Sequence, residues 1–287
     1  MSDLWRMVKA LAFTHIWIAL GAAGAAAATL LVHGYPADTW TPLIVSGILG
    51  IGVSTGCIYT WQRRIKLRKN PESIPTRRRA FLQRSENAMA LVWVALALVW
   101  AVASASLWKP YAELLLSHAG VLAIMAALAL GYASNPLTGG RGLRDIPRVK
   151  WPVIAVAWGL VTGWLPLQFV PDAVDVSFLA QSVFLQTVFV AGITLPFDVR
   201  DVAVDPVGLR TVPQQVGDRT TTWLALALVG LSTIGFWTLD PIAGRAVAGM
   251  VALLGIGVAS ILRREWVFSL WLDGCLILQG VLAFLMV

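Results

Sequence analysis

Three carboxylates lie close together in a chain that has only 15 acidic residues: Asp198, Asp201 and Asp205, here called the acid cluster. Spacings of three and four residues place all three on one face of a helix, provided that the helix continues through them. Like charges at these spacings repel each other, so the arrangement costs stability unless a cation or basic groups compensate. Mg²⁺ takes oxygen ligands and often shares them with substrate phosphates, which makes a magnesium site one interpretation. A solvated acidic helix end fits the same spacing, and the residues alone leave both interpretations open.

The composition places the acid cluster in a membrane protein. Of the 287 residues, 58% are hydrophobic and 13% are charged. Soluble domains have about 45–50% apolar and about 25% charged residues, so a soluble fold is excluded. Nine windows lack charged residues, apart from Asp273 in the last, and such windows of about 20 residues cross a bilayer as helices. They predict an all-α polytopic protein, with a single domain over 1–287 and nine spans: 10–37, 39–62, 87–108, 114–140, 151–171, 176–197, 220–239, 246–262 and 266–287.

The basic residues predict an orientation. With the N-terminus inside, 20 of the 22 lysine and arginine residues fall in inner segments, and only Lys109 and Arg245 fall in outer ones. The positive-inside rule therefore predicts a cytoplasmic N-terminus in a cell membrane. This topology accounts for the net charge of +7, so no nucleic-acid partner is expected. Three long loops, 63–86, 134–150 and 197–219, are all predicted to face the cytoplasm, and long loops often carry function.

The acid cluster belongs to a longer segment that resembles a known motif. Residues 195–201 read Leu-Pro-Phe-Asp-Val-Arg-Asp, residues 205–213 read Asp-Pro-Val-Gly-Leu-Arg-Thr-Val-Pro, and Gly217 follows. This segment resembles the second Asp-rich motif of the UbiA superfamily of intramembrane prenyltransferases, which have nine helices and cytoplasmic Asp-rich loops. Residues 142–150 resemble the basic loop that follows the fourth helix in one branch of that family.

The resemblance implies an activity. UbiA proteins bind a polyprenyl diphosphate through Mg²⁺, ionise it and join the prenyl chain to a lipophilic acceptor. By this similarity the chain is expected to be a prenyltransferase, with the acid cluster as its magnesium ligands and Asp198 and Asp201 as catalytic residues. Arg144, Arg148 and Lys150 would neutralise the diphosphate, arginine with a bidentate fork and lysine as a point charge. Ordinary positive-inside charge accounts for these three residues equally well.

The first Asp-rich motif of the family is absent from this chain. The corresponding stretch, 58–71, contains no acid and carries Arg63, Arg64 and Arg68. Opposite charges therefore stand where the family has like ones. We predict that the basic residues of 63–68 either pair with the acid cluster without metal or bind the diphosphate themselves, and Mg²⁺ is in question for the same reason.

Two other functions stay open. A relative of the UbiA fold that binds prenyl lipid or a partner without turnover is the main alternative to an enzyme. A transporter is less consistent, because the acids and the long loops share one side of the membrane. Asp273 in the last span either helps to shape an acceptor site or is a structural partner. The identity of the acceptor and the length of the prenyl chain are not predicted.

Overall fold

The apolar windows form helices. The computed structural model describes residues 11, 13–69, 71–74, 76–133, 140–170 and 174–287, without the side chains of Ser73, Thr76, Arg77 and Val207, and these residues contain no strand. The α-helices are α1 (Ile16–Val32), α2 (Pro42–Lys69), α3 (Thr76–Ala103), α4 (Trp108–Ser117), α5 (Ala119–Gly131), α6 (Lys150–Gly159), α7 (Val176–Asp201), α8 (Val212–Val216), α9 (Asp218–Leu239), α10 (Gly244–Leu262) and α11 (Asp273–Met286). The π-helical turns are Leu160–Trp164 and Val267–Leu272, and the 3₁₀ turns are Ala37–Thr39, Pro71–Ser73, Ala105–Leu107, Leu143–Asp145, Leu165–Gln168 and Val207–Leu209.

Within the described residues, six helices are long and apolar enough to cross a membrane. They are α2, α3, α7, α9, α10 and the continuous stretch Val267–Met286, which contains α11. Many large apolar side chains on these helices are exposed, and a bilayer is the solvent that suits them. The chain is therefore a multi-pass helical membrane protein. Nine spans and the inside N-terminus stay predictions, and the N-terminal basic residues Arg6 and Lys9 lie outside the described residues.

The other predicted spans have less regular helices. The α1 helix is apolar but has 17 residues. The predicted span 114–140 contains α5 and the end of α4, and these two helices meet at about 90° at His118; residues 134–139 are outside the described part. The predicted span 151–171 starts as α6, passes through a π-helical turn and ends in a 3₁₀ turn that contains Pro166. Proline has no N–H group to donate, so the α-helical ladder does not continue there.

Small residues bring the bundle together around α1. This helix packs against α2, against α11 and against the π-helical turn Leu160–Trp164. Four of its alanines, Ala22, Ala25, Ala26 and Ala28, are fully buried, and a Cβ atom built on Gly280 of α11 would lie only 2.5 Å from the carbonyl oxygen of Gly24. Close backbone approach between helices is what small residues allow in membranes. Helices α7, α9, α10 and α11 then continue the bundle pairwise, and α6 lies against α7.

Candidate functional site

Residues from all three long loops meet at one cavity, as the sequence predicts. The cavity has a volume of about 220 Å³ and is lined by parts of α1, α2, α3, α5, α6 and α7, the turn Leu143–Asp145 and the stretch Val267–Met286. Its charged lining comprises six basic and three acidic side chains: Arg63, Lys66, Arg78, Arg144, Lys150, Arg200, Asp198, Asp201 and Asp273. The excess of positive charge favours an anionic ligand over a cationic one.

Lys150 neutralises two members of the acid cluster. The Lys150 ammonium lies 2.8 Å from a carboxylate oxygen of Asp198 and 2.7 Å from one of Asp205, and all three residues are buried. Helix α7 ends at Asp201, and the turn after it brings Asp205 back beside Asp198, with the Asp205 N–H donating to the carbonyl of Asp201. Burial disfavours the charged form of Lys150, but the two carboxylates outweigh that effect and raise the pKa of its amine above the ordinary value. Lys150 is therefore charged at neutral pH.

Arg200 neutralises the third carboxylate of the cluster. Its guanidinium makes two hydrogen bonds to Asp201, of 2.8 and 3.2 Å, and a third of 3.2 Å to Glu265. The rings of Phe197 and Phe268 lie 5.1 and 5.3 Å from the guanidinium carbon, so cation–π contacts hold it in place. The bidentate geometry leaves Asp201 fully engaged by one fixed cation.

The residues present do not fit the magnesium site that the resemblance implies. A divalent cation at the acid cluster needs several free carboxylate oxygens directed at one point. Here the ammonium of Lys150 occupies the position between Asp198 and Asp205, and Arg200 takes both oxygens of Asp201. Among the described residues, no group of three acidic, histidine or cysteine side chains has the arrangement to hold a metal ion. Fixed cations of the chain stand where the metal is expected.

Basic side chains of α2 line the cavity without a partner. Arg63 and Lys66 make no hydrogen bond or ion pair with any described residue, although Lys66 is only 8% exposed. Arg144 lies close enough to act electrostatically on both of them. The guanidinium of Arg144 is 5.7 Å from the ring of Tyr132 and 3.9 Å from Asp145, so its hydrogen-bond donors are also largely free. Three basic groups thus line one wall without a counter-charge, and an anion between them would favour their charged forms.

A close turn places Arg144 at this wall. The N–H of Arg144 donates to the carbonyl of Tyr132, and the N–H of Gly142 donates to the carboxylate of Asp145. A Cβ atom on Gly142 would lie 2.2 Å from the carbonyl oxygen of Tyr132, so the turn requires glycine.

The other predicted diphosphate-binding residues do not line the cavity. Arg64 donates to Glu86 at 2.8 Å, and Arg68 lies 3.6 Å from the same carboxylate, so both hold α2 against α3. Arg148 is exposed, and its N–H donates to the carbonyl of Leu209. The predicted pairing of 63–68 with the acid cluster is therefore wrong. The alternative prediction was that a basic side chain of 63–68 faces the cavity that the acid cluster also lines, and Arg63 does so.

The rest of the cavity wall is aromatic and apolar. Tyr59 lies one helical turn before Arg63 on α2, and its ring contacts that of Trp158 edge-on at 6.4 Å. Ile154 and Val161 continue this wall along α6 and the π-helical turn, and Leu128 adds a contact from α5. Since α-helices rise about 1.5 Å per residue, this wall lies roughly 5–15 Å further into the bundle than the free cations. The cavity is polar at its loop end and apolar beyond it.

Sequence reasoning included Lys66 among the basic residues of 63–68, but it missed Arg78, Tyr59 and Glu265 as parts of the site. Helical periodicity had a usable signal for α2, because Thr55, Tyr59, Gln62, Arg63 and Lys66 lie on one face and all line the cavity. Glu265 had no local signal, because its partners Arg78 and Arg200 come from distant parts of the chain.

Comparison with known proteins identifies no relative: no protein-family model, no curated protein and no solved structure matches this chain.

Proposed function

We propose that the protein binds a polyprenyl diphosphate in this cavity without a metal ion. The diphosphate would lie among Arg63, Lys66 and Arg144, and the prenyl chain would extend along Tyr59 and Trp158 towards the bilayer. The observation that carries the proposal is a set of unpaired, largely buried basic side chains beside an apolar wall. Burying a cation without a partner is costly, and guanidinium groups bind phosphate oxygens bidentately. An anionic head group joined to a hydrocarbon tail satisfies both parts of the cavity.

The size of the cavity supports the same ligand class. A volume of about 220 Å³ lies below the 300 Å³ or so of an ordinary pocket for a drug-sized molecule. Under this proposal the cavity would take the diphosphate and the beginning of the prenyl chain, and lipid would solvate the remaining isoprene units. The resemblance of residues 195–217 to the second UbiA motif points to the same class, and the bundle supplies its own cations in place of magnesium.

Titration calorimetry of the purified protein with farnesyl diphosphate, in detergent and EDTA, tests this proposal. The double variant Arg63→Gln, Lys66→Met is expected to bind at least a hundredfold more weakly than wild type, because each charge-assisted contact contributes about 1.5–3 kcal/mol. Arg68→Gln is the matched control, since Arg68 lies on the same helix and is exposed outside the cavity. Equal affinity of the double variant and wild type would reject this site.

Prenyl transfer to a lipophilic acceptor is the second candidate function. In such a reaction the allylic C–O bond breaks, the electron pair leaves with the diphosphate, and the acceptor attacks the carbocation and loses a proton. The free cations would stabilise the leaving group, and the rings of Tyr59, Trp158 and Phe197 favour this candidate because aromatic faces attract a carbocation. Incubation with labelled polyprenyl diphosphate and a mixed lipid extract, followed by assay of diphosphate release, separates transfer from binding without turnover.

The same proposal places the basic end of the cavity in the cytoplasm, in a cell membrane. Its support is the distribution of lysine and arginine, 20 of 22 on the side of the three long loops. A cysteine introduced at Arg68 is expected to react with a membrane-impermeant maleimide in inside-out vesicles and not in intact cells. The opposite labelling pattern would show that the predicted orientation is wrong, and it would not bear on diphosphate binding.

A further inference from the structure

Asp273 is a carboxylate in the cavity that the diphosphate site does not use. It lines the cavity, and it makes no hydrogen bond or ion pair with any described residue. Asp198 and Asp201, the other two acidic residues of the lining, are both engaged by cations at 3.2 Å or less. Asp273 is therefore the carboxylate of this lining that is free to accept a hydrogen bond from a ligand.

The position of Asp273 separates it from the loop end of the cavity. It follows the π-helical turn Val267–Leu272 and lies eight residues after Glu265, roughly 10 Å further into the bundle. Tyr59, on the apolar wall, is close enough to Asp273 for an electrostatic interaction between the two side chains. An irregular π turn at this point changes the direction of the side chains after it, and such turns are frequent at functional sites.

The surroundings of Asp273 define the ligand class. Arg78, Arg200 and Arg63 act electrostatically on it from the rest of the cavity, together with the weaker effect of Glu265. A cationic ligand at Asp273 would be repelled by these arginines, and an anionic one by the carboxylate itself. A neutral hydroxyl group avoids both repulsions, and its O–H can donate to the carboxylate while arginine and lysine offer only donors.

We propose that Asp273 binds the hydroxyl group of an uncharged, lipophilic alcohol or phenol in the inner part of the cavity. The proposal rests on the proposed function in taking the cavity as a lipid site, and it adds a second subsite for a second ligand. The first subsite selects an anion with the basic side chains, and the second selects a hydrogen-bond donor with one carboxylate. Both ligands would share the apolar wall at Tyr59 and Trp158.

Native mass spectrometry with competing ligands tests this subsite. The detergent-solubilised protein receives equimolar farnesol and farnesyl methyl ether, which share a chain and differ in the O–H donor. Wild type is expected to bind farnesol about tenfold more than the ether, the effect of one hydrogen bond to a charged group. Asp273→Leu is expected to reduce this ratio to about one, and Asp273→Glu to keep it well above one. A ratio near one in wild type, or an unchanged ratio in Asp273→Leu, would overturn the proposal.

Two further measurements distinguish the possible failures. A purely structural Asp273 would give a lower melting temperature in Asp273→Leu, with equal loss of both ligands, and this result also counts against the subsite. Farnesyl diphosphate affinity is measured on the same variants and is expected not to fall, because the Asp273 carboxylate offers the diphosphate no hydrogen-bond donor and its negative charge opposes the anion. If the wild-type protein binds no farnesyl diphosphate but still prefers farnesol over the ether, the proposed function is rejected and the alcohol subsite is retained.

Discussion

Two regions of the molecule hold basic side chains in opposite ways. At the start of α10, Arg245 is 1% exposed, and its Nε atom donates to Asp240 at 2.6 Å while its guanidinium carbon lies 4.5 Å from the Phe236 ring. At the other end of the bundle, Arg63 and Lys66 face a cavity with no partner among the described residues. A buried charge with a bidentate partner stabilises the connection between two helices. A buried charge without one lowers the stability of the protein and favours a ligand that supplies the missing partner.

The acid cluster combines both arrangements. Lys150 pairs with Asp198 and Asp205, as Arg245 pairs with Asp240. This ion triad lies in the same cavity lining as the unpaired Arg63 and Lys66. The carboxylates of Asp198 and Asp201 are near the C-terminal end of α7, where the helix dipole disfavours negative charge. Lys150 and Arg200 compensate that effect. The triad thus belongs to the framework that fixes the loops around the cavity.

The largest effect on stability is expected from Lys150→Met. This change leaves two buried carboxylates facing each other without a cation, and breaking a buried ion pair costs about 3–5 kcal/mol. Thermal unfolding in detergent should show a melting temperature far below that of wild type. Because the two carboxylates raise the pKa of Lys150, its contribution is fully present below its unfolded pKa of about 10.4, as long as the carboxylates are ionised, and is lost as the pH rises above that value.

Lys109→Met is the matched control for this change, since Lys109 is an exposed lysine of α4. A Lys150→Met protein as stable as this control would show that the triad contributes nothing to the framework. Addition of Mg²⁺ gives a second comparison. The ion should raise the melting temperature of the Lys150→Met variant by binding its two unpaired carboxylates, and it should not change that of wild type.

Asp240→Asn is expected to have the next largest effect, a loss of about 3 kcal/mol, because Arg245 would be left buried without a counter-charge. Differential scanning calorimetry of the purified variant measures it. Farnesyl diphosphate affinity should not change, because the pair is remote from the cavity lining. A weaker affinity would indicate that the two regions are coupled and would break the comparison between them.

The smallest effect on stability, and of opposite sign, is expected from Lys66→Met. Removing a buried amine that has no partner should leave the melting temperature unchanged or raise it by an amount equivalent to about 1 kcal/mol. The same variant should bind farnesyl diphosphate about tenfold more weakly. Marked destabilisation would mean that Lys66 has a structural partner and is not available for a ligand.

Much of the fold could be predicted from the sequence, because lipid leaves the backbone no alternative to helices. Six of the charge-free windows overlap a helix long enough to cross a membrane, and the three long loops contribute residues to one cavity. The 90° break at His118 and the π-helical turns depend on packing between distant residues and left no such signal.

The site was less predictable, since the partner of a long basic side chain depends on tertiary packing and not on its neighbours in the sequence. Arg63 and Arg64 are neighbours in sequence, yet one faces the cavity and the other pairs with Glu86 of α3. The spacing of the acid cluster identified the right carboxylates, but not that Lys150 and Arg200 already neutralise them.

The most direct test of the account is the effect of magnesium on ligand binding. Titration calorimetry measures the affinity of wild type for farnesyl diphosphate in EDTA and again in millimolar Mg²⁺. We expect binding in EDTA that is equal to or tighter than binding with Mg²⁺, because the cavity has its own cations and the metal would only neutralise the free ligand. Binding that appears only with Mg²⁺ would contradict the central claim that fixed cations of the chain take the place of the metal.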